Sequence, residues 1–250
     1  MRKQQSRTKG TRKKEKFSIG RGQYKGLTLF LESNDTTRPT KSLVKKSFFD
    51  TMQYKLIGKT FIECFAGSGQ IGFEALSLGA SNAVFFENNS NAFKNLCSNI
   101  TLFWEKHKHY YNCETQDSKQ YIANQLYSIP FDIQAHFKDC LQSHDLIVNF
   151  TKNADFCVKN DIISDFYIAT QNNNIVLYMD PPFACRTGFE NIYTKICYFI
   201  ESFHEYVIQK VDIIIIECMS NANLNTQIGA FYLMKKSKFG QTTLMYFTKK

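Results

Sequence analysis

Residues 61–72 read FIECFAGSGQIG, an apolar segment that ends in an acid and opens into three glycines followed by a helix-like stretch. A strand that feeds a helix through so tight a glycine turn belongs to open, mostly parallel α/β sheets. There the turn and the helix N-terminus form one rim of a ligand crevice. Gly67, Gly69 and Gly72 fit G-x-G-x-x-G to the letter, in the strand-turn-helix context that a dinucleotide site requires. The ligand is left open by the glycines alone, because a donor without a phosphate can use the same turn.

The rest of the chain supports a sheet of that type. KTFIECF, NAVFFE, YYNCET, NIVLYMD and DIIIIEC read as strands, and QIGFEALSLG, SNAFKNLCSNITLFW, SKQYIANQLY and ENIYTKICYFIESFHEYV as the helices between them. Short strands separated by helices imply right-handed crossovers and a sheet covered on both faces. The C-terminal GAFYLMKKSKFGQTTLMYFTKK reads as an antiparallel hairpin turning near Lys238–Gln241. Upstream, FSIGRGQYKGLTLFLE reads as a small ribbon. Pro39 and an N-cap at Thr40 then start a helix with Val44, Phe48 and Met52 on one face. Residues 128–174 show no clear period and read as an insertion with structure of its own. With 43% hydrophobic residues the chain can bury one large core. The expected division is a basic tail over 1–18 and one domain over 19–250, with ribbon and helix in 19–57.

Charge is concentrated at one end. Residues 1–26 hold ten Lys/Arg and one acid, which accounts for the whole formal net charge of +9. Such a tail is suited to a polyanion, since each base placed on a phosphate releases counterions. It lacks the bulky apolar residues that insert into a membrane interface and has no apolar h-region behind it, so no membrane partner and a cytoplasmic location are expected. The run Ile213–Ile216 is far shorter than the roughly 20 residues that span a bilayer. The eight cysteines form no C-x-x-C pair and the five histidines form no constellation with them, so free thiols and no metal are expected.

The acids around the glycine turn discriminate between ligands. Glu87 ends the next strand, where a carboxylate can accept from both hydroxyls of a ribose. NAD and S-adenosylmethionine share that adenosine and make the same demand. Glu63 separates them: an anion beside the turn would repel a pyrophosphate, whereas a sulfonium with an α-amino group brings positive charge to it. A capping role for Glu63 on the loop amides is the structural alternative. Asp117, placed at the end of the third strand, is a candidate for the adenine amino group or a helix cap. Asp180-Pro181-Pro182-Phe183 follows another strand. The prolines fix an extended corner, Asp180 and the proline carbonyls can hold an exocyclic amine, and Phe183 offers a face for stacking a base. Glu217, at the end of DIIIIEC, could line the substrate side or serve as a loop or cap residue.

These segments together resemble the RsmD-type guanine methyltransferases of bacterial small-subunit ribosomal RNA. The likeness runs through GRGQYKGLTL, RPTKSLVKKSFFDTM, FIECFAGSGQIGFEALSLGA, VFFENN, YMDPPF and FGQTTLMYF in family order. It implies a Rossmann-like class I S-adenosylmethionine-dependent methyltransferase fold, a mostly parallel seven-stranded sheet with a C-terminal antiparallel hairpin. It also implies transfer to the 2-amino group of a guanine in 16S RNA, with Asp180, Pro181, Pro182 and Phe183 as the catalytic loop. The donor would be held by Glu63, Phe65, Gly67, Ser68, Gly69, Glu87, Asn88 and Asp117. The RNA would meet Arg21, Tyr24, Lys25, Arg38, Pro39 and Thr40, with no second subunit required. The chain departs from the pattern in its longer basic tail, in ENN after the second strand and in the 128–174 stretch. Two other classes use part of these features: a nicotinamide-dependent oxidoreductase, which leaves the Asp-Pro-Pro-Phe corner without work, and a non-catalytic RNA-binding or assembly module.

Overall fold

The computed structural model describes residues 15–31, 39–112, 132–137, 174–183 and 185–250. Strands β1 (Lys16–Ser18) and β2 (Thr28–Phe30) pair antiparallel as the expected ribbon, which begins at Lys16 rather than after residue 18. Helix α1 (Pro39–Met52) opens on its proline, a residue preorganised for the first helical position, so Thr40 lies inside the helix and not at its cap. There follow β3 (Thr60–Cys64), α2 (Gln70–Ser77), β4 (Asn82–Glu87), α3 (Ser90–Asn112), β5 (Asp132–Phe137) and β6 (Ile175–Met179). The chain continues through α4 (Ile192–Glu201), α5 (Glu205–Lys210), β7 (Val211–Met219), β8 (Gln227–Ile228), β9 (Phe231–Phe239) and β10 (Thr242–Thr248).

Among the described residues the main sheet has eight strands in the order β5-β4-β3-β6-β7-β10-β9-β8, one more than the seven expected because the two-residue β8 joins its edge. β3 to β7 are parallel, and β10, β9 and β8 close the sheet antiparallel. The chain moves outward from β3 to β4 and β5, then returns to the other flank of β3 as β6. This reversal between β3 and β6 is the switch point at which such sheets open a crevice at their carboxyl ends.

Each face has its own core. Phe61, Phe85, Tyr178, Ile215 and Tyr246 meet Phe48, Phe73 and Phe103 of α1, α2 and α3. On this side the Phe48 ring stands edge-on to Tyr178 at 4.9 Å, which fixes α1 over the middle of the sheet. Ile62, Val84, Leu177, Ile214 and Ile216 meet Ile196, Phe199 and Ile200 of α4 on the other. Strands covered on both sides cannot alternate apolar with polar, and the five residues of β3 and of β6 are all buried.

Three elements differ from the expectation. Tyr110–Asn112, read as the start of a strand, continue α3, whose far turns stay helical because His107 hydrogen-bonds the Tyr24 hydroxyl and stacks against Trp104. The strand beside β4 is instead Asp132–Phe137, inside the stretch read as an insertion. The helix read over ENIYTKICYFIESFHEYV is two: Ser202 Oγ bonds back to the Phe199 carbonyl, Phe203 turns into the core, and the His204 ring caps α5 by accepting from Tyr206 N at 3.3 Å. The helix read over 118–127 and the tail before residue 15 lie outside the described residues. Among the described residues no helix is long and apolar enough to cross a membrane.

Candidate active site

The glycine turn is held by acids before any ligand is considered. Phe65, Gly67 and Gly69 all take positive φ, at 62°, 54° and 78°, so the chain leaves β3 through a left-handed path that glycine tolerates and Phe65 does not favour. A side chain at Gly69 would approach Leu96 and Phe73 to 2.7 Å, and one at Gly72 would reach the Phe85 ring at 2.3 Å. The glycines therefore let α2 pack close to the sheet as well as turn. Gly69, the N-cap of α2, has no side chain to cap with. Glu63 does that work from β3, accepting from Gly72 N at 2.8 Å. Glu87 accepts from Gly67 N and from Asn89 N, each at 2.6 Å, and so ties the turn to the end of β4.

Burial pushes the Glu63 carboxyl up to about 8 against the pull of the Gly72 and Ile71 amides, and the carboxylates of Asp180 and Glu87 add to the rise. The capping alternative raised for Glu63 is therefore realised in the structure. Its high proton affinity marks a place where positive charge would be welcome.

Asp180 follows β6 beside this turn. Cys64 and Met179 are partners in the β3–β6 ladder, so Phe65 and Asp180 leave adjacent strands at the same level. Asp180, Pro182 and Phe183 are half-buried and Pro181 is buried; Arg186 N closes the corner on the Phe183 carbonyl at 2.9 Å. Behind Asp180 lies Glu217 of β7, with only 4% of its surface exposed. The Tyr178 hydroxyl donates to Glu217 Oε2 at 3.0 Å. Burial and the nearby Asp180 charge raise the Glu217 carboxyl to about 8, while the Tyr178 bond and Lys41 oppose the rise. Glu217 thus faces the corner, and Lys41 brings the first turn of α1 over the end of β7. A groove of about 300 Å³ is lined by Tyr193, Tyr198, Asn223 and Asn225 among others, and of these Tyr193 is close enough to feel the Asp180 charge.

Other sequence candidates fare differently. Ser68 is buried in the turn, and Asn88 is exposed just beyond Glu87. Arg21 pairs with Asp50 at 2.8 Å, and Lys25 is exposed. Tyr24, expected to face RNA, instead turns inward: it is 2% exposed, its ring lies 4.5 Å from that of Phe103, and its backbone N–H donates to Ser77 Oγ at 2.9 Å. The resemblance implied an RNA-facing role for Tyr24, but the ribbon uses it as its anchor. Pro39 and Thr40 begin α1, while Arg38 and Asp117 lie outside the described residues. Since the strand next to β4 ends at Phe137, the first acid beyond it in the sequence is Asp139, also outside the described residues; the misplaced strand led to Asp117.

Sequence reasoning also missed Asn99, midway along α3 and 0% exposed. Its side chain bonds Phe30 and Ser68, which no spacing rule signals.

The donor set at this edge can be tested against the two adenosine ligands. Glu63, Glu87 and Asp180 come from the ends of β3, β4 and β6, so the edge is lined by carboxyls, and a cation placed there would draw the proton from Glu63. A pyrophosphate would add anions among three carboxyls, whereas a sulfonium with an ammonium group answers them. Glu87 spends two of its roughly four lone-pair sites on amides, which leaves acceptors for a ribose diol. The residues present fit S-adenosylmethionine.

The family model described as Conserved hypothetical protein 95 matches residues 17–134. YlbH of Bacillus subtilis is 34% identical over 96 residues, 38% of this chain and 52% of its own length. Ribosomal RNA small subunit methyltransferase D of Buchnera aphidicola is 27% identical over 156 residues, covering 61% of this chain and 78% of that protein. The match thus spans about half of the first relative and more of the second. Among solved structures, yhhF from Escherichia coli superposes with a TM-score of 0.58 at 17% identity, over 94% of this chain and 99% of that one, a likeness of fold.

Proposed function

We propose that the chain is an RsmD-type methyltransferase that methylates the exocyclic 2-amino group of a guanine in small-subunit ribosomal RNA, with S-adenosylmethionine as donor; the partial family match and the likeness of fold support this reading. The observation that carries this reading is the placement of the acid-bound glycine turn and the Asp-Pro-Pro-Phe corner on paired strands at the switch point.

When bound, S-adenosylmethionine supplies an electrophilic methyl group. Glu87 accepts from its ribose and Glu63 answers its positive charge, while Phe65, Gly67, Ser68, Gly69 and Asn88 shape the turn around it. Asp139, beyond the true third parallel strand, replaces Asp117 as the acid for the adenine edge.

The chain's own chemistry is on the acceptor side. A guanine amine delocalises its lone pair into the ring and is a weak nucleophile. Asp180 and the carbonyls of Pro181 and Pro182 accept its hydrogens and orient the lone pair. Transfer of the methyl group to nitrogen would break its bond to sulfur, the electron pair leaving on sulfur with S-adenosylhomocysteine, and Asp180 would take the proton that the positively charged amine loses. Phe183 stacks on the base, which has to leave its own stack to reach the corner. Arg21, Lys25, Arg38, Pro39, Thr40 and the basic tail hold the surrounding RNA, whose backbone affinity is electrostatic.

The test is to incubate the protein with labelled S-adenosylmethionine and small-subunit RNA, both naked and in particles, that lack the modification. Label recovered as N2-methylguanosine at one position is expected. Label on adenine, or none on either substrate, would refute the assignment.

A further inference from the structure

Asn99 uses both ends of its amide on two separate segments. Its Oδ1 accepts from Phe30 N at 2.8 Å, and its Nδ2 donates to the Phe30 carbonyl at 2.8 Å and to the Ser68 carbonyl at 3.0 Å. Two hydrogens and two carbonyls are matched, so both donors of the Asn99 amide are used. Phe30 is the last residue of β2 and pairs with Lys16 across the ribbon. Ser68 is the middle of the glycine turn, 1% exposed, between Gly67 and Gly69 with their left-handed backbones. On the other side of the turn Glu87 holds Gly67 N at 2.6 Å.

The contacts of Asn99 all go to backbone groups, so they report the position of the two chains rather than the identity of their side chains. The Ser68 carbonyl cannot shift without breaking its bond or drawing Asn99, and with it Phe30. A buried amide that lost one of these partners would leave a carbonyl or N–H unsatisfied and away from water, which is costly. The cheaper response is for ribbon and turn to move together. The ribbon's far end is tied independently, by Gln23 N and Tyr24 N to the backbone and side chain of Ser77 at the end of α2. It therefore behaves as one unit with the helix that the turn starts.

We propose that Asn99 is a positioning residue that couples the donor turn to the ribbon, so that filling the donor crevice and docking RNA on the ribbon strengthen one another. This rests on the functional reading above. By linkage the two effects are reciprocal, and couplings of this kind are typically about 5–150-fold. A side chain that merely glued the core together would lower stability without linking the two ligands.

The experiment measures S-adenosylhomocysteine binding to the full chain by calorimetry, with and without a small-subunit ribosomal RNA transcript. The unmodified protein is expected to bind it about fivefold or more tightly when RNA is present. Asn99→Asp keeps the acceptor for Phe30 N but sets a carboxylate oxygen against two carbonyls; its coupling is expected to fall toward unity while each ligand still binds. Retained coupling in a folded Asn99→Asp protein, or none in the unmodified protein, overturns the proposal. Should the variant fail to fold, hydrogen exchange on the unmodified protein decides: slower exchange at the Phe30 amide on adding S-adenosylhomocysteine supports the coupling, and an unchanged rate rejects it. Absence of any S-adenosylhomocysteine binding would sink the functional reading and the coupling together, whereas binding without coupling sinks only this inference.

Discussion

On the side of the sheet that faces α4, the strands offer Ile62, Val84, Leu177, Ile214 and Ile216 to Ile196, Phe199 and Ile200, and that cluster is apolar throughout. On the side that faces α1 the same strands carry Glu63, Tyr178 and Glu217 near their carboxyl ends, and Asn99 and Glu74 are buried in the helices above. Lys45 of α1 reaches Glu74 Oε2 at 3.1 Å, although that oxygen makes no well-directed hydrogen bond. A buried carboxyl is costly unless it is bonded or kept protonated. Their confinement to one face at one end leaves the α4 side as scaffold and supports the proposal that the chemistry lies on the α1 side.

The comparison breaks most readily at the corner. Asp180→Ala is expected to lower the rate of methyl transfer by about a hundredfold or more while donor affinity changes little, as calorimetry and single-turnover assays would show. Equal loss of both would make Asp180 structural. On the opposite face, Ile214→Ala should cost about 2–5 kcal/mol of stability by leaving a cavity, with donor affinity unchanged in the folded protein. A drop in donor affinity there would erase the distinction between the faces.

Glu87→Gln tests the turn. An amide in place of the carboxylate must set an N–H against Gly67 N or Asn89 N, so donor affinity is expected to fall by about tenfold or more, in line with about 1.5–3 kcal/mol for a bond to a charged group. Wild-type affinity would show that Glu87 only decorates the loop.

The pH dependence follows from the two raised carboxyls. Glu63 and Glu217 hold their protons in the folded protein up to about 8, against an ordinary value of 4.5. Between those limits the folded state binds more protons than the unfolded one. Their contribution is therefore fully present below about 4.5 and is lost as pH rises through about 8. Denaturant midpoints should fall across that window, and the slope should flatten in a Glu63→Gln, Glu217→Gln protein. A flat profile in the unmodified chain would mean that these carboxyls are not protonated where they are buried. The smallest effect is expected from removing residues 1–14, which hold seven Lys/Arg: the dependence of RNA affinity on salt should become shallower by roughly 0.7 per lost phosphate contact.

Much of this was legible in the sequence. β3, β4, β6 and β7, the closing hairpin and α1 follow from apolar runs and turn residues, and the glycine turn with Glu63, Glu87 and Asp180 could be placed before any coordinates. The missed parts have physical causes. β5 is an edge strand whose DIQAHF carries neither a long apolar run nor a turn signal, so its stretch gave no period. α3 overran into YYN because a tertiary contact, Tyr24 with His107, decides its last turns. Asn99 was missed and Glu217 left between two roles because a lone amide in a helix or an acid at a strand end is usually a solvent-facing residue. Only the fold shows what each one bonds.

The proposed function requires that the carboxyls at the switch point select a cationic adenosyl donor over an anionic dinucleotide. Calorimetric titration of the protein with S-adenosylmethionine and, separately, with NADH tests it directly. The account predicts saturable binding of S-adenosylmethionine, tightening as pH rises toward 8 because the donor's charge draws a proton from Glu63, and no binding of NADH. Binding of NADH with S-adenosylmethionine excluded would contradict it.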